Sequence, residues 1–292
     1  MAVTLTEASL HLSVNVVDDV RTALSYHFMV NAFRAGTVVA IVAAVVGWFM
    51  VLRRETFVGH TLAVVGFPGA AAAIWLGVSV VSGYYVFCIA AAVIVAVFPA
   101  ARTHGDQHDS AGIGTLQAFA LACGFLFASL YGGNINGFST LLFGSFVGVT
   151  DAQVTALVVV ATGVLVLIAA VARPLLFASI DRDVAIARGV PVRLLSFVFL
   201  VALGVGVAGA SQITGSLLVF ALLVVPAATA QTVTARPVLG LGLAIGLSVA
   251  ITWLGLGIGF YSAYPLGFWI TTIAFGTFVL AHAGRALAGA LR

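Results

Sequence analysis

The residues of this chain that could do chemistry are few, and they stand inside or beside long apolar stretches. His60 and Thr61 precede Pro68 in one stretch, and Pro226 and Thr229 lie in a later one. Imidazole suits zinc, copper or nickel, but one ligand from a single helix makes a weak metal site. A histidine near a helix end can equally be a hydrogen-bonded structural residue. We therefore keep two interpretations of His60, a metal ligand and a polar cap.

A polar loop between two apolar stretches holds a second group of candidate ligands. Its titratable residues are His104, Asp106, His108 and Asp109. Such a cluster could bind a divalent metal loosely, and binding would depend on pH because imidazole titrates near neutrality. An ordinary loop exposed to water would carry the same polar residues, and this is the interpretation we favour.

A charged segment at 174–193 separates two uncharged stretches. Its charged residues are Asp181, Arg182, Asp183, Arg188 and Arg193. Ionised side chains are costly in hydrocarbon, so this segment must face water on one side of a membrane. Ala185 and Gly189 stand four residues apart and predict a smooth strip on which another protein could dock. The pattern suggests a transporter driven by a separate motor protein.

The elements that carry these residues are membrane-spanning helices. Of the 292 residues, 62% are hydrophobic and 7% are charged, and the mean hydropathy is +1.22. A soluble domain carries about 25% charged residues, so that class is excluded. The uncharged runs are too long for barrel strands and lack their alternation. With about 20 apolar residues needed for each crossing, the chain is predicted to be an all-α polytopic membrane protein with eight or nine spans.

The predicted spans follow the uncharged runs, with short connections between them. They lie near 32–52, 58–81, 84–101, 112–131, 153–172, 194–212, 215–233, 238–259 and 266–284. Residues 133–150 are too polar at one end for a full crossing and predict a short helix or re-entrant piece. Residues 1–30 predict an interfacial segment outside the membrane, followed by one transmembrane domain at 31–292.

Arginine placement predicts the orientation of these spans. The twelve basic residues are all arginine, and basic residues near span ends face the cytoplasm. An external N-terminus leaves only Arg21 and Arg34 outside. That orientation puts the charged segment and the C-terminus in the cytoplasm.

Several activities are excluded by missing residues. A Walker A loop needs a lysine, and this chain has none, so any ATP that drives it is hydrolysed by another subunit. No His-Glu-x-x-His or Gly-x-Ser-Gly pattern is present. The predicted spans also lack the carboxylates that proton-coupled carriers usually use. We predict no catalytic residues, no cofactor bound by this chain and no nucleic-acid partner.

Three segments, in order, resemble the permease subunit of the ABC-3 family, the bacterial zinc, manganese and iron importers. The matching segments are 47–59 with 67–69, 180–192 and 214–230, with a weaker match at 142–145. The resemblance runs from about Phe28 to the C-terminus. It implies a type II-like importer permease in the bacterial cytoplasmic membrane, working with a metal-binding lipoprotein on the outside.

The resemblance also implies partners and sites. A second permease, identical or homologous, and two cytoplasmic ATPases that use ATP and magnesium would complete the transporter. Asp181, Asp183, Ala185 and Gly189 match the positions of a coupling helix, at about 176–192, that fits a groove on the ATPase. Apart from the resemblance, Pro68 between Gly66 and Gly69 is predicted to break the second span, and such a break either borders the translocation pathway or is a packed kink. Pro226 has the same two interpretations, and the pathway candidates are His60, Thr61, Pro68, Pro226 and Thr229. The implied cargo is a divalent metal, zinc or manganese ahead of iron; the alternatives are a chelated metal or other small solute, and a secondary carrier without an ATPase.

One departure from the family stands in the second span. The family usually reads Gly-Asp-Ala-Leu-Ser-His-Ala there, which puts an aspartate and a histidine on one helix face. Here Gly59 is followed by His60 at the aspartate position, and Val64 stands at the histidine position. A single neutral imidazole replaces the pair, so the negative charge that would offset the desolvation of a cation is gone. The sequence therefore predicts transport more firmly than it predicts the cargo.

Overall fold

The described part of the chain is built of helices. The computed structural model describes residues 16–97, 107–131, 141, 142, 144, 146, 148–262 and 264–290, and no strand occurs within them. The helices are α1 (Val16–Ser25), α2 (His27–Leu52), α3 (Thr56–Leu76), α4 (Val80–Val97), α5 (Gln107–Tyr131), α6 (Asp151–Ile180), α7 (Arg182–Ala187), α8 (Val192–Thr214), α9 (Ser216–Val233), α10 (Pro237–Tyr261) and α11 (Leu266–Ala290). Within these ranges, nine helices are long and apolar enough to cross a membrane, all except α1 and α7. The predicted all-α polytopic class is confirmed.

Local sequence signals set several helix ends. Thr150 and Gln153 form a capping box that begins α6, in which the Thr150 hydroxyl accepts the Gln153 N–H and the Gln153 side chain accepts the Thr150 N–H. Such a box satisfies backbone donors that a helix start leaves unpaired. Gly77 ends α3 at a φ of 70°, and Gly215 separates α8 from α9 at a φ of 79°. Both turns need the left-handed backbone that glycine adopts without a steric penalty.

Contacts between helix ends define one face of the molecule, called here the His27 face. His27 at the start of α2 and Asp151 at the start of α6 are joined by a 3.1 Å contact between Nε2 and Oδ2. The Tyr26 and Phe260 rings lie 5.7 Å apart, which brings the end of α10 to the same face. The starts of α2 and α6 and the end of α10 therefore share one side of the bundle.

The opposite side, called the Arg53 face, is defined in the same way. Arg53, just after α2, donates from Nη2 to the Ser196 hydroxyl near the start of α8 at 2.8 Å. Thr232 Oγ1 near the end of α9 and His282 Nε2 in the last part of α11 are 3.4 Å apart. The alternation of helix direction between the two faces agrees with the predicted order of spans.

The core of the bundle depends on close backbone contact at small residues. In its most apolar window, α3 is 83% buried, whereas α11 is 11% buried. A Cβ added to Gly47 of α2 would meet the backbone of Leu223 in α9, and one added to Gly69 of α3 would meet the carbonyl of Gly83 in α4. Lipid provides no hydrophobic force between helices, so such approaches gain the dispersion contact that holds them together.

Some predicted boundaries differ from the observed ones. The first spanning helix begins at His27, four residues before the predicted domain limit at 31, and follows α1 after a turn. The sixth helix continues to Ile180 with Pro174 inside it, so the start of the charged segment belongs to a spanning helix. The prediction of a short helix or re-entrant piece at 133–150 falls largely outside the described residues.

Candidate functional site

The charged segment forms a short helix that is fixed at both ends. Asp181 is the residue before α7, and its Oδ1 accepts the Val184 N–H at 3.0 Å. Gly189 follows the helix at a φ of 78°, with open space around the position of a Cβ. The observed helix, Arg182–Ala187, is shorter than the predicted 176–192. It is shorter because α6 runs on to Ile180 and Asp181 starts a new helix.

Burial corrects one part of the predicted docking strip. Ala185 is fully buried, whereas Val184 and Ile186 are 42% and 53% exposed. The prediction that Ala185 offers a smooth exposed surface is wrong, because its methyl group packs toward the helices of the bundle. Asp183 and Gly189 are exposed as predicted. The surface open to a partner thus combines small and apolar side chains with charges around them.

A buried ion pair lies on the Arg53 face and contacts the helix that follows α7 in the chain. Arg53 Nη2 donates to Glu55 Oε1 at 2.8 Å and to Ser196 Oγ at 2.8 Å. The guanidinium carbon also lies 5.2 Å from the centre of the Phe199 ring. Glu55 immediately precedes α3, and Ser196 lies in the first turns of α8, soon after α7. The pair therefore connects the start of the His60 helix with the helix that follows the charged segment.

His60 is a half-buried residue in the second turn of α3. Its ring meets the Phe220 ring of α9 edge to face, with centroids 4.6 Å apart. Nδ1 is buried and has no hydrogen-bond partner among the described residues. An imidazole with an uncommitted nitrogen, beside an aromatic ring, is available to bind a further group. Neither interpretation of His60 left open by the sequence is excluded by this placement.

The neighbouring Thr61 has a packing role. It is fully buried, and its hydroxyl lies 3.1 Å from the Phe57 carbonyl and 3.0 Å from Gln117 Oε1 of α5. Adjacent residues on a helix point about 100° apart. Thr61 therefore joins α3 to α5, and His60 faces α9, so the two predicted pathway residues do not line one surface.

The two prolines lie inside continuous helices. Pro68 is buried within α3 and Pro226 within α9. The prediction that Pro68 breaks its span is wrong, because α3 remains helical from Thr56 to Leu76. Proline has no N–H, so the carbonyls of Val64 and Leu222, one turn earlier, lack their usual helical donor. Each of these two carbonyls is therefore without its i+4 backbone hydrogen bond in an otherwise regular helix.

Thr229 lies one turn beyond Pro226 and is almost fully buried. Its hydroxyl has no partner within the described part of the chain, whereas the Thr232 hydroxyl donates to the Ala228 carbonyl at 2.9 Å. A buried hydroxyl without a hydrogen bond is costly. Thr229 is thus a polar position inside the bundle, as the pathway prediction requires, but no contact links it to His60.

Metal-ligand clusters are absent from the described residues, where no three His, Cys, Asp or Glu side chains come together. His104 and Asp106 lie outside the described residues, and the structure places neither. Sequence reasoning missed Phe220, Arg53 and Ser196. The paired arginines at 53 and 54 were the available signal, but Ser196, which Arg53 contacts, lies far along the chain.

These features together define a polytopic helical permease with a small exposed helix on one face. The sequence profile described as the ABC 3 transport family matches residues 25–285. The chain belongs to the ABC 3 transport family, and it is the membrane-spanning permease subunit of an ABC importer.

Individual relatives are similar along most of the chain. The manganese import system permease protein ScaB of Streptococcus parasanguinis is 28% identical over 235 residues, which cover 80% of this chain and 82% of the relative. The manganese transport system membrane protein MntC of Halalkalibacterium halodurans is 29% identical over 213 residues, covering 73% of this chain and 72% of the relative.

Solved structures share the fold. PsaBC from Streptococcus pneumoniae, solved in complex with Fab, matches with a TM-score of 0.80 and 26% identity over 91% of this chain and 95% of that chain. An inward-facing putative metal-chelate type ABC transporter matches with a TM-score of 0.75 and 17% identity over 94% of this chain and 92% of that chain. The second likeness concerns the fold alone.

Proposed function

We propose that this permease carries a divalent metal ion into the cytoplasm, with manganese ahead of zinc and iron. The observation that carries the proposal is the similarity, over about three quarters of the chain or more, to two permeases named for manganese import. The helical bundle is consistent with a transport pathway through the membrane. The short exposed helix is consistent with docking of a separate ATPase subunit. Neither feature alone would select a metal.

The motor is a separate pair of ATPase subunits that bind ATP and magnesium. This chain has no lysine, so it has no Walker A loop with which to hold phosphate. The exposed Val184 and Ile186 of α7, with Asp183 and Gly189 beside them, form the surface that enters an ATPase groove. A second permease and a solute-binding lipoprotein complete the complex.

The Arg53 face lies in the cytoplasm, and the N-terminus lies outside. Most of the arginines of the described spans are near the Arg53 face, and Arg34 is near the His27 face. Basic residues near the ends of spanning segments favour the cytoplasmic side. This orientation places α7 where ATPases are found, in the cytoplasmic membrane of a bacterium, with the C-terminus inside.

His60 is the transit ligand in this proposal. Its Nδ1 is free of protein partners among the described residues, and its ring faces Phe220. The imidazole of His60 suits zinc and iron, whereas manganese prefers oxygen ligands, so a manganese site here needs oxygen atoms as well. The backbone carbonyls left without donors by Pro68 and Pro226 are oxygen atoms within the same two helices, α3 and α9. A second copy of the permease would contribute a second His60, so that two imidazole groups could bind one metal ion.

Movement of α7 reaches the His60 helix through the Arg53 ion pair. The pair joins Glu55, at the start of α3, to Ser196 of α8. Closure of the ATPases on α7 would shift the start of α8, and the buried guanidinium would carry that shift to α3. The pathway then changes between outward-open and inward-open states.

The test is metal uptake by cells that lack this chain and carry it back on a plasmid. Radioactive manganese uptake should return with the wild-type chain and fall at least about tenfold with His60→Ala, as expected when a metal ligand is lost. His282→Ala is the matched control and should keep uptake. Unchanged manganese, zinc and iron uptake in the deletion strain would contradict a metal cargo.

A chelated metal is the second candidate, and one observation favours it. No aspartate or glutamate occurs between Thr56 and Thr103 or between Leu194 and Gly284. A bare divalent cation is expensive to desolvate without a nearby negative charge, whereas a chelate already supplies its own ligands. Uptake that requires an added chelator and is indifferent to His60→Ala would select this candidate.

A further inference from the structure

The hydroxyl of Ser216 is a buried polar group that the pathway described above does not use. Ser216 is the first residue of α9 and is completely buried. Its Oγ has no hydrogen-bond partner among the described residues. A buried hydroxyl without a partner is costly, so its presence needs a physical explanation. A ligand that binds the hydroxyl as it passes through the bundle is such an explanation.

Ser216 lies on the side of α9 that faces His60. The Phe220 ring of α9 meets the His60 ring with centroids 4.6 Å apart. Ser216 precedes Phe220 by four residues, which is about one helical turn. Residues four apart share a side of a helix and are separated by about 6 Å along its axis. The Ser216 side chain is therefore directed toward α3, about one turn beyond the contact between the two rings.

The direction of the two helices decides what stands opposite Ser216. Because α3 begins at the Arg53 face and α9 ends there, the two helices run in opposite directions. One turn farther from the Arg53 face than His60, the same side of α3 carries Val64. Val64 is buried and apolar, so α3 offers no second side-chain ligand at this level. The polar side chain at this level comes from α9.

We propose that the Ser216 hydroxyl binds the cargo together with His60 Nδ1, and that this oxygen makes the site accept manganese. The inference rests on the proposed metal cargo. Both atoms are buried and have no partner among the described residues. Imidazole suits zinc, iron, copper and nickel, whereas manganese prefers oxygen ligands. An oxygen beside His60 therefore shifts the preference of the site toward manganese.

The backbone around Ser216 leaves the site close to neutral. α8 ends at Thr214 and α9 begins at Ser216, with Gly215 between them at a φ of 79°. A helix carries a partial negative charge at its C-terminal end and a partial positive charge at its N-terminal end. The two ends adjoin here, so their effects on a cation oppose each other. Neither α3 nor α9 contains an acidic residue, so the ion is bound loosely, as release to the next site requires.

The first test exchanges this oxygen for sulfur. Thiolate sulfur is a soft ligand that suits zinc rather than manganese. In cells that depend on this chain, Ser216→Cys should lower manganese uptake by about tenfold and keep zinc uptake, since even the loss of a supporting group costs about 10–100-fold in metal affinity. Ser216→Ala should also lower manganese uptake and keep zinc uptake, and it removes only an unpaired hydroxyl, so a folding defect is not expected.

Ser248→Cys is the matched control. Ser248 is also a fully buried serine whose hydroxyl has no partner among the described residues, but it lies in α10. This variant should leave the ratio of manganese to zinc uptake unchanged. If Ser216→Cys and Ser216→Ala keep the wild-type ratio as well, the proposal is wrong.

Cobalt binding gives a measurement that does not depend on uptake. Cobalt chloride is added to the full chain in lipid nanodiscs, with Cys88 and Cys123 first replaced by alanine because both are free thiols. A thiolate bound to cobalt absorbs near-ultraviolet light by charge transfer, and a hydroxyl does not. Ser216→Cys should show this absorption and lose it when His60→Ala is added. Ser248→Cys should not show it. A changed metal preference without this absorption would count against direct binding by Ser216.

The two measurements separate this inference from the proposed function. If cells lacking the chain take up manganese and zinc normally while Ser216→Cys shows the His60-dependent absorption, the cargo is wrong and the site stands. If manganese uptake requires the chain but Ser216→Cys shows neither the absorption nor a change in preference, the cargo stands and the role of Ser216 is wrong.

Discussion

The Arg53 guanidinium stands just after a spanning helix, yet the residue is only 6% exposed. It is held by Glu55, Ser196 and the Phe199 ring. Removing a charge from water is expensive, and the partners repay that cost only while all of them are present. One side chain thereby connects three parts of the chain, which are the end of α2, the start of α3 and the first turns of α8.

Substitutions at this ion pair should separate stability from transport. Arg53→Gln leaves Glu55 without its counter-charge and should lower stability by about 3 kcal/mol, the usual cost of breaking a buried pair. Ser196→Ala removes one hydrogen bond and should cost only about 1 kcal/mol. Thermal unfolding of the purified chain in nanodiscs measures both.

Ser196→Ala also tests the connection between the ATPase and the pathway. Ser196→Ala should reduce metal uptake more than it reduces ATP hydrolysis by the assembled transporter, because α8 would move without carrying α3. Ser179→Ala, whose hydroxyl donates within its own helix to Leu175, is a control and should change neither rate. An unchanged ratio of uptake to hydrolysis in Ser196→Ala would contradict the connection.

At the scale of elements, α7 shows why burial decides which side chains a partner can meet. Ala185 faces inward and anchors the short helix to the bundle. Val184 and Ile186 are left outside because six residues make fewer than two turns, and the bundle can cover only one side of them. Gly189 ends the helix in a left-handed conformation that other residues adopt at a cost.

Two substitutions of Gly189 distinguish backbone strain from the loss of docking. Gly189→Ala and Gly189→Trp share the strain of a side chain at φ 78°, about 1–2 kcal/mol. Only the indole is large enough to keep an ATPase away, since the position is open. Gly189→Ala should retain most transport, and Gly189→Trp should abolish transport and co-purification of the ATPase.

The result is judged against a matched control. Gly163→Trp also introduces an indole at an open position, but in the middle of α6, where no ATPase can reach. It should leave co-purification intact. A Gly189→Trp complex that assembles and transports normally would show that α7 is not the docking helix.

The whole molecule has two faces, and the contacts between helix ends assign each connection to one of them. His27 with Asp151 marks one face, and Arg53 with Ser196 marks the other. The prediction of an external His27 face can be tested with single cysteines. Cys88 and Cys123 are first replaced by alanine, because both are free thiols.

Ser25→Cys and Ala187→Cys then report the two faces. An impermeant maleimide should label Ser25→Cys in intact cells, since this residue is exposed near the start of α2. It should label Ala187→Cys only after the membrane is opened, since α7 lies at the Arg53 face. Labelling of Ala187→Cys in intact cells would reverse the orientation and remove any cytoplasmic ATPase from α7.

The sequence by itself determined the class of this protein. In hydrocarbon only a helix satisfies the backbone groups of an uncharged run of spanning length, so the all-α membrane class and the approximate spans followed from composition. The permease itself was implied by the resemblance of three segments to the ABC-3 family. The charged residues from Asp181 to Arg193 could be assigned to water because ionised side chains are costly in hydrocarbon. The cap at Asp181 and the turn at Gly189 are also local features, yet the helix predicted at about 176–192 ran through both of them.

Tertiary structure decided which side chains meet. Helices in lipid have little amphipathic pattern, because both their lipid-facing and their protein-facing sides are apolar. No periodicity could therefore show that Ala185 faces inward, that Thr61 turns to α5, or that His60 faces Phe220. Nor could it bring Arg53 to Ser196, or Asn31 and His27 to Asp151, because those pairs are distant in the chain and depend on how the helices cross.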